Sequence, residues 1–198
     1  MIIRFFNIND ADPETLSKWY AQMSTDRKES VDSLKISSKK ALRIAADALA
    51  RETISEFCGI SPGEIIFGIG EKGKPFVKNL PVHFSISHSG DYAVCAVSEK
   101  EIGIDIEKMR NIHPRAAERF CSKSEISYAN SSQKAFFEVW TLKEAYFKCI
   151  GTGLDSEIKN VTFETIGNNV ICSEKGCEFS FKEIDSNYIC SVCEKSGS

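Results

Sequence analysis

Two stretches of the chain carry opposite hydrophobic periods. From Ile102 to Glu107, three isoleucines (Ile102, Ile104 and Ile106) alternate with Gly103, Asp105 and Glu107. Strict alternation predicts a β-strand that buries the isoleucines and turns both carboxylates to the other face. Two rises of ~3.3 Å place those carboxylates about 7 Å apart along the strand. Further on the period lengthens: Ala135, Val139, Leu142, Tyr146 and Cys149 recur at steps of four, three, four and three. That stripe predicts a core-facing helix from about Ser132 to Ile150. A neighbouring row, Trp140, Glu144 and Lys148, steps by four and puts a carboxylate and an ammonium one turn apart beneath an indole.

The remaining pattern places other elements around these two. Residues 1 to 8 read as a strand, and Asp12 caps a helix that starts at Pro13 and ends near Met23. The polar run Thr25–Ser30 reads as a turn. A long helix from Ser37 or Ser38 to about Phe57 keeps Leu42, Ala45, Ala46, Leu49 and Ile54 at helical spacing, with Gly59 as its stop. A short strand at residues 65–68 precedes a turn at Gly73-Lys74-Pro75. Phe84, Ile86 and His88 then share one strand face, and Ser89-Gly90-Asp91 turns into a strand from Tyr92 to Val97. With the acidic strand these make an expected three-stranded meander. Pro114 opens a short helix through Phe120, Ser122–Glu125 has the form of a capping box, and Val161 to Val192 alternates in short strands around Gly167-Asn168-Asn169. The tail Ser196–Ser198 reads as frayed.

Helix-first, strands-later order in each half gives an α+β class with an N-terminal half at 1–100 and a C-terminal half at 101–198. The 198 residues suit one large domain or two small intimate ones. No apolar run reaches the ~18 residues of a membrane span, and the N-terminus turns polar too soon for a secretory segment, so the sequence points to the cytoplasm. Eight cysteines are then read as reduced core thiols. A four-thiolate zinc site from Cys172, Cys177, Cys190 and Cys193 is disfavoured, because Cys190 and Cys193 would face opposite sides of a strand. A net charge of −3 argues against general nucleic-acid binding, yet Lys108, Arg110, Arg115, Arg119 and Lys123 cluster against the single acid Glu118. That patch suits an acidic protein or a phosphate-rich ligand.

Two strand carboxylates, joined by Glu144 if the helix crosses the strand, form an oxygen set for a hard divalent cation, with Lys148 in reach of a phosphate on the same ion. Ser87, His88 and Asp91 do not make a hydrolase triad, since strand neighbours diverge and no Gly-x-Ser-x-Gly elbow is present. The paired stretches Gly103-Ile104-Asp105-Ile106-Glu107 and Trp140-x-x-Lys143-Glu144-Ala145-x-x-Lys148, with Gly73-Lys74-Pro75 and Ser87-His88-Ser89 upstream, resemble the signature of 4'-phosphopantetheinyl transferases of the larger, surfactin-synthetase-activating (Sfp-like) type.

This resemblance covers residues 70 to 154 best. It implies two α+β halves related by a pseudo-twofold with a ligand cleft at their junction, the first half anchoring the nucleotide, the second carrying the metal and carrier surface. It further implies Mg²⁺-dependent transfer of phosphopantetheine from coenzyme A to a serine of an apo acyl, peptidyl or polyketide carrier, by a monomer, with release of adenosine 3',5'-bisphosphate. Asp105, Glu107 and Glu144 become the metal ligands. Lys74, Ser87, His88, Lys143 and Lys148 become coenzyme contacts. Glu144 or Glu125 becomes the proton acceptor, Glu125 through the match of Phe120-x-Ser122-x-x-Glu125, and Lys148 the group at the departing phosphate. The alternatives are a catalytically silent binder of carriers or nucleotides and a metal-dependent phosphohydrolase.

Overall fold

The computed structural model describes residues 1–113, 115–154, 156–167 and 169–197. Its strands are β1 (Ile2–Asn7), β2 (Phe67–Ile69), β3 (Pro75–Val77), β4 (His83–Ser89), β5 (Tyr92–Ser98), β6 (Ile102–Lys108), β7 (Phe163–Ile166), β8 (Asn169–Cys172), β9 (Cys177–Lys182) and β10 (Tyr188–Lys195). The α-helices are α1 (Pro13–Gln22), α2 (Thr25–Asp32), α3 (Ser37–Cys58), α4 (Ile126–Ala129) and α5 (Gln133–Ile150). Both long helices form where the apolar spacing places them, and each ends at a glycine in the left-handed region, Gly59 (φ 69°) and Gly151 (φ 76°). The Ser132 hydroxyl caps α5 by accepting from Ala135 N–H at 3.0 Å.

Two antiparallel sheets of three strands, in the orders β1-β5-β4 and β6-β10-β9, form the centre. The chain traces one path twice: a strand, a long helix, then two further strands of which the last inserts beside the first. This repeat accords with the pseudo-twofold expectation. Helix α3 lies on the first sheet, burying Leu42, Leu49 and Ile54 against Phe84, Cys95 and Val97. Helix α5 lies on the second, against β6 and β10. Between the sheets, Val94 and Ala96 of β5 meet Ile102, Ile104, Ile106 and Val192. Each isoleucine is fully or almost fully buried, contributing about 1.5–3 kcal/mol of apolar burial.

The expected meander does not form. Strand β5 already has β1 on one edge and β4 on the other, so no edge remains for β6, which turns away after Ser98 to pair with β10. Thr25–Ser30 is likewise no turn but most of helix α2. That segment has no amphipathic period to announce it; it is held by burial of Val31 against α1 and α3 and by the Lys28 ammonium on the Ala21 carbonyl at 2.9 Å. The expected helix start at Pro114 and the middle residue of the Gly167–Asn169 turn lie outside the described residues, as does Ser198; a single 3-10 turn, Ala117–Arg119, follows Pro114.

Strands β4 and β6, in different sheets, run alongside each other. Their join is a row of alternate serines on β4. Ser85 Oγ accepts from Ile104 N–H (3.1 Å), and Ser89 Oγ accepts from Lys108 N–H (3.1 Å). These bonds satisfy amides on the edge of β6 that a pairing strand would otherwise take.

Candidate active site

The serine row continues into the acids. Ser87 Oγ donates to Asp105 Oδ1 at 2.7 Å and Ser89 Oγ donates to Glu107 Oε2 at 2.8 Å. From α5, Lys148 Nζ donates to Asp105 Oδ1 at 2.6 Å, to Ser87 Oγ at 3.1 Å and to the Ile104 carbonyl at 3.3 Å. Trp140 Nε1 donates to Glu107 Oε1 at 3.3 Å, and Arg110 Nη1 to Glu107 Oε2 at 2.9 Å. The helical row Trp140, Glu144, Lys148 therefore faces the acidic side of β6.

Helix and strand come this close because of Gly103. A β-carbon there would stand 1.9 Å from the Ala145 carbonyl oxygen and 2.5 Å from the Cys149 nitrogen. Only glycine admits such backbone contact.

Charge in the cluster is unbalanced. Asp105 is buried, not exposed as a ligand on an open strand face would be, and burial raises its pKa although Lys148 and Ser87 act the other way. Its Oδ2 is buried with no hydrogen-bond partner among the described residues. Burial first, then the charges of Asp105 and Glu107, push the Glu144 carboxyl up to about 7. Two carboxyls held above their usual range, Asp105 and Glu144, with Glu107 beside them and one buried oxygen lacking a donor, offer the hard oxygen chemistry that a divalent cation takes. Oxygen donors of this kind are what Mg²⁺ takes, although as the side chains stand the three acids do not bring one oxygen each within 4.8 Å of one another.

His88, near the end of β4, is exposed. Desolvation, followed by the positive fields of Arg43 on α3 and Lys148, lowers its pKa. Arg43 thus enters the site, held by a 2.7 Å bond to Ser30 Oγ. Lys74 is not the free cation of an open turn. Its ammonium folds back from the β2-β3 hairpin onto the carbonyls of Ile102 (3.1 Å) and Cys149 (3.3 Å), where burial lowers its pKa. It still walls the cleft, a cavity of about 240 Å³ bounded also by Ser85, Ile86, Glu144, Lys148 and Leu154.

Two residues expected in the site stand elsewhere. Lys143 is fully buried, its Nζ 2.9 Å from Glu125 Oε2 and 2.9 Å from the Ile158 carbonyl. Glu125 Oε1 accepts from Phe163 N–H (2.9 Å) and Oε2 from Ser122 N–H (2.8 Å), the latter being the capping half of its two expected roles. The motif spacing puts Lys143 a quarter-turn from Glu144, on the face turned to the core. Its partner in charge is Glu125, so neither reaches the cleft. Replacing Glu125 with Gln leaves the Lys143 charge uncompensated and is expected to cost about 3 kcal/mol or more in stability. Thermal denaturation checks this; a turnover that falls in folded protein would return Glu125 to the chemistry.

Sequence reading does not single out Ser85 and Ser89, or Arg110 and Trp140 as donors to Glu107; Arg43 is one of four helix cations, with Lys39, Lys40 and Arg51, among which no local motif chooses. The Ser85-x-Ser87-x-Ser89 alternation was the available signal.

Models of two protein families match the chain, the 4'-phosphopantetheinyl transferase N-terminal family over residues 10–100 and the 4'-phosphopantetheinyl transferase superfamily over residues 101–193. A 4'-phosphopantetheinyl transferase of Bacillus subtilis is 34% identical over 161 residues, covering 76% of this chain and 72% of that protein. The Sfp enzyme of Bacillus subtilis strain 168 is 33% identical with the same coverage. The gsp transferase of Aneurinibacillus migulanus is 39% identical over 116 residues, 56% of this chain and 48% of its own. The chain belongs to the 4'-phosphopantetheinyl transferase family, of the Sfp-like type.

Proposed function

We propose that this chain transfers 4'-phosphopantetheine from coenzyme A to a serine hydroxyl of an apo acyl or peptidyl carrier protein, Mg²⁺-dependent, releasing adenosine 3',5'-bisphosphate. The carrying observation is the meeting of Asp105, Glu107, Glu144 and Lys148 from β6 and α5 beside a cleft that runs to Lys74. Asp105, Glu107 and Glu144 would hold the cation. Bound there, Mg²⁺ supplies counter-charge to the diphosphate.

The chain's own residues do the rest. Lys148 donates to the departing phosphate, and Ser87 keeps its ammonium aimed into the cleft. Glu144 takes the proton of the attacking serine. Arg43 supplies the cation and His88 a neutral imidazole N–H for the terminal phosphate of the nucleotide, and Lys74 fixes the hairpin wall. Nucleophile and phosphorus are thereby placed in line with little covalent work left to do.

The carrier docks beside Glu107. A cavity of about 580 Å³ opens there between residues 107–120 and α5, with Phe120, Phe136 and Trp140 as an apolar floor and Arg110 and Arg119 at the rim. Such a groove suits an acidic amphipathic helix. No described helix is long and apolar enough to cross a membrane. The proposal takes the enzyme as a cytoplasmic monomer whose two halves form both sides of the cleft.

The deciding experiment weighs an apo carrier after incubation with the protein, coenzyme A and magnesium. One phosphopantetheine of added mass is expected; nucleotide cleavage without that gain would make the protein a phosphohydrolase, and no change a binder. In the same assay Lys148→Ala should slow turnover roughly 100-fold, the worth of one preorganised donor at a charge-developing centre. Turnover within threefold of the parent would remove Lys148 from the mechanism.

A further inference from the structure

A second cluster of ligating atoms lies apart from the carboxylates. The sulfurs of Cys149 on α5, Cys177 on β9 and Cys193 on β10 all lie within 4.8 Å of one another. Cys177 pairs opposite Lys195 and Cys193 is two residues before it, so the two strand thiols share a face diagonally. The helix supplies the third from above. Cys193 and Cys149 are fully or almost fully buried, while Cys177 is half-buried and opens the cluster towards the surface.

Three points no more than 4.8 Å apart always share a centre within about 2.8 Å of each, against a metal–thiolate bond of ~2.3 Å. Shifts of about half an ångström in flexible thiol side chains close that gap. The surroundings favour thiolate at Cys149 alone: burial raises the pKa of Cys177, and the hydrogen bond with Cys149 raises that of Cys193, so a bound ion has to displace those two protons. Lys74 donates to the Cys149 carbonyl, the Cys149 thiol is turned to the Glu101 carbonyl at 3.2 Å, and Lys195 pairs with the Glu101 carboxylate. Neighbouring thiols and Lys74 accordingly hold the Cys149 pKa below the usual thiol value, against the effect of burial.

We propose that Cys149, Cys177 and Cys193 form a three-thiolate site for a soft monovalent ion, Cu(I). All-sulfur ligation selects soft ions. Among the described residues no fourth His, Cys, Asp or Glu joins the cluster, whereas structural zinc is held by four ligands. Cu(I) is satisfied by three. Binding releases the thiol protons to solvent and ties the last turn of α5, immediately after Lys148, to strands β9 and β10 of the second sheet. The Cys190 sulfur, which the sequence grouped with these residues, belongs to the inter-sheet core instead.

The test is an anaerobic titration of the full-length reduced chain with Cu(I) against a competing chromogenic Cu(I) chelator, with Zn(II) run in parallel. One equivalent of Cu(I) retained per chain, an X-ray absorption shell of three sulfurs, and loss of that equivalent in Cys177→Ala but not in Cys58→Ala are expected. Cys177 is the least buried of the three, and the sulfur count on the parent protein stands even if that variant folds poorly. No ion surviving competition, tighter retention of Zn(II) than of Cu(I), a fourth sulfur, or undiminished binding by folded Cys177→Ala would each overturn the assignment.

Discussion

Asp105→Asn is expected to abolish carrier modification, by ~10³-fold or more, while leaving the melting temperature close to that of the parent. A loss of that size corresponds to about 4 kcal/mol at the transition state. The two halves of this expectation have one cause. Burial raises the pKa of Asp105, so in the folded protein its negative charge is held at a cost that a neutral amide does not carry. Asn retains an oxygen to accept from Ser87 and Lys148, at 2.7 and 2.6 Å in the parent, but it gives up the charge that draws a divalent ion. Alanine is the poorer probe, since it also vacates a packed site and strands Lys148. Carrier mass gain and thermal denaturation together decide the matter. An Asn variant within tenfold of parental turnover would show that Asp105 is no ligand, and one melting far below the parent would make it a structural residue.

Gly103→Ala is expected to prevent the native fold altogether. The added carbon would overlap the Ala145 carbonyl and the Cys149 amide, both backbone groups inside α5, and neither can step aside as a side chain would. Overpacking in cores ordinarily costs 1–3 kcal/mol; here the obstacle is rigid, and a penalty beyond about 4 kcal/mol is expected. That is a large part of a domain's net stability. Insoluble protein, or soluble protein lacking a cooperative transition, is the expected result, and circular dichroism with thermal melting measures it. A stable, active Gly103→Ala enzyme would mean that α5 does not lie on β6 as described.

Much of this was legible in the sequence where one local period decided the outcome. Ile102 to Glu107 and the stripe from Ala135 to Cys149 fixed a strand, a helix and the faces that meet, and with them Asp105, Glu107, Glu144 and Lys148. The failures share a different character. Strand β6 was assigned to its chain neighbour because nothing local tells that β5 has both edges taken by β1 and β4. Helix α2 lacks an apolar stripe and exists through contacts with α1 and α3. Lys143 and Glu125 sit within motif segments, yet the charge of each is answered by the other in the core, a pairing eighteen residues apart that no spacing rule announces. The burial of Asp105 also escaped notice, because the hydroxyl that covers it arrives from the other half of the chain.

The serines of β4 give the molecule an unusual kind of seam. Hinged enzymes change the separation of their lobes to admit and release ligands. Here the groups that stitch one lobe to the other are the same ones that grip the reactive acids, so prising the lobes apart would drag Asp105 and Glu107 out of alignment. Under the proposed function, large-scale separation of the lobes and correct chemistry are therefore incompatible in this scaffold.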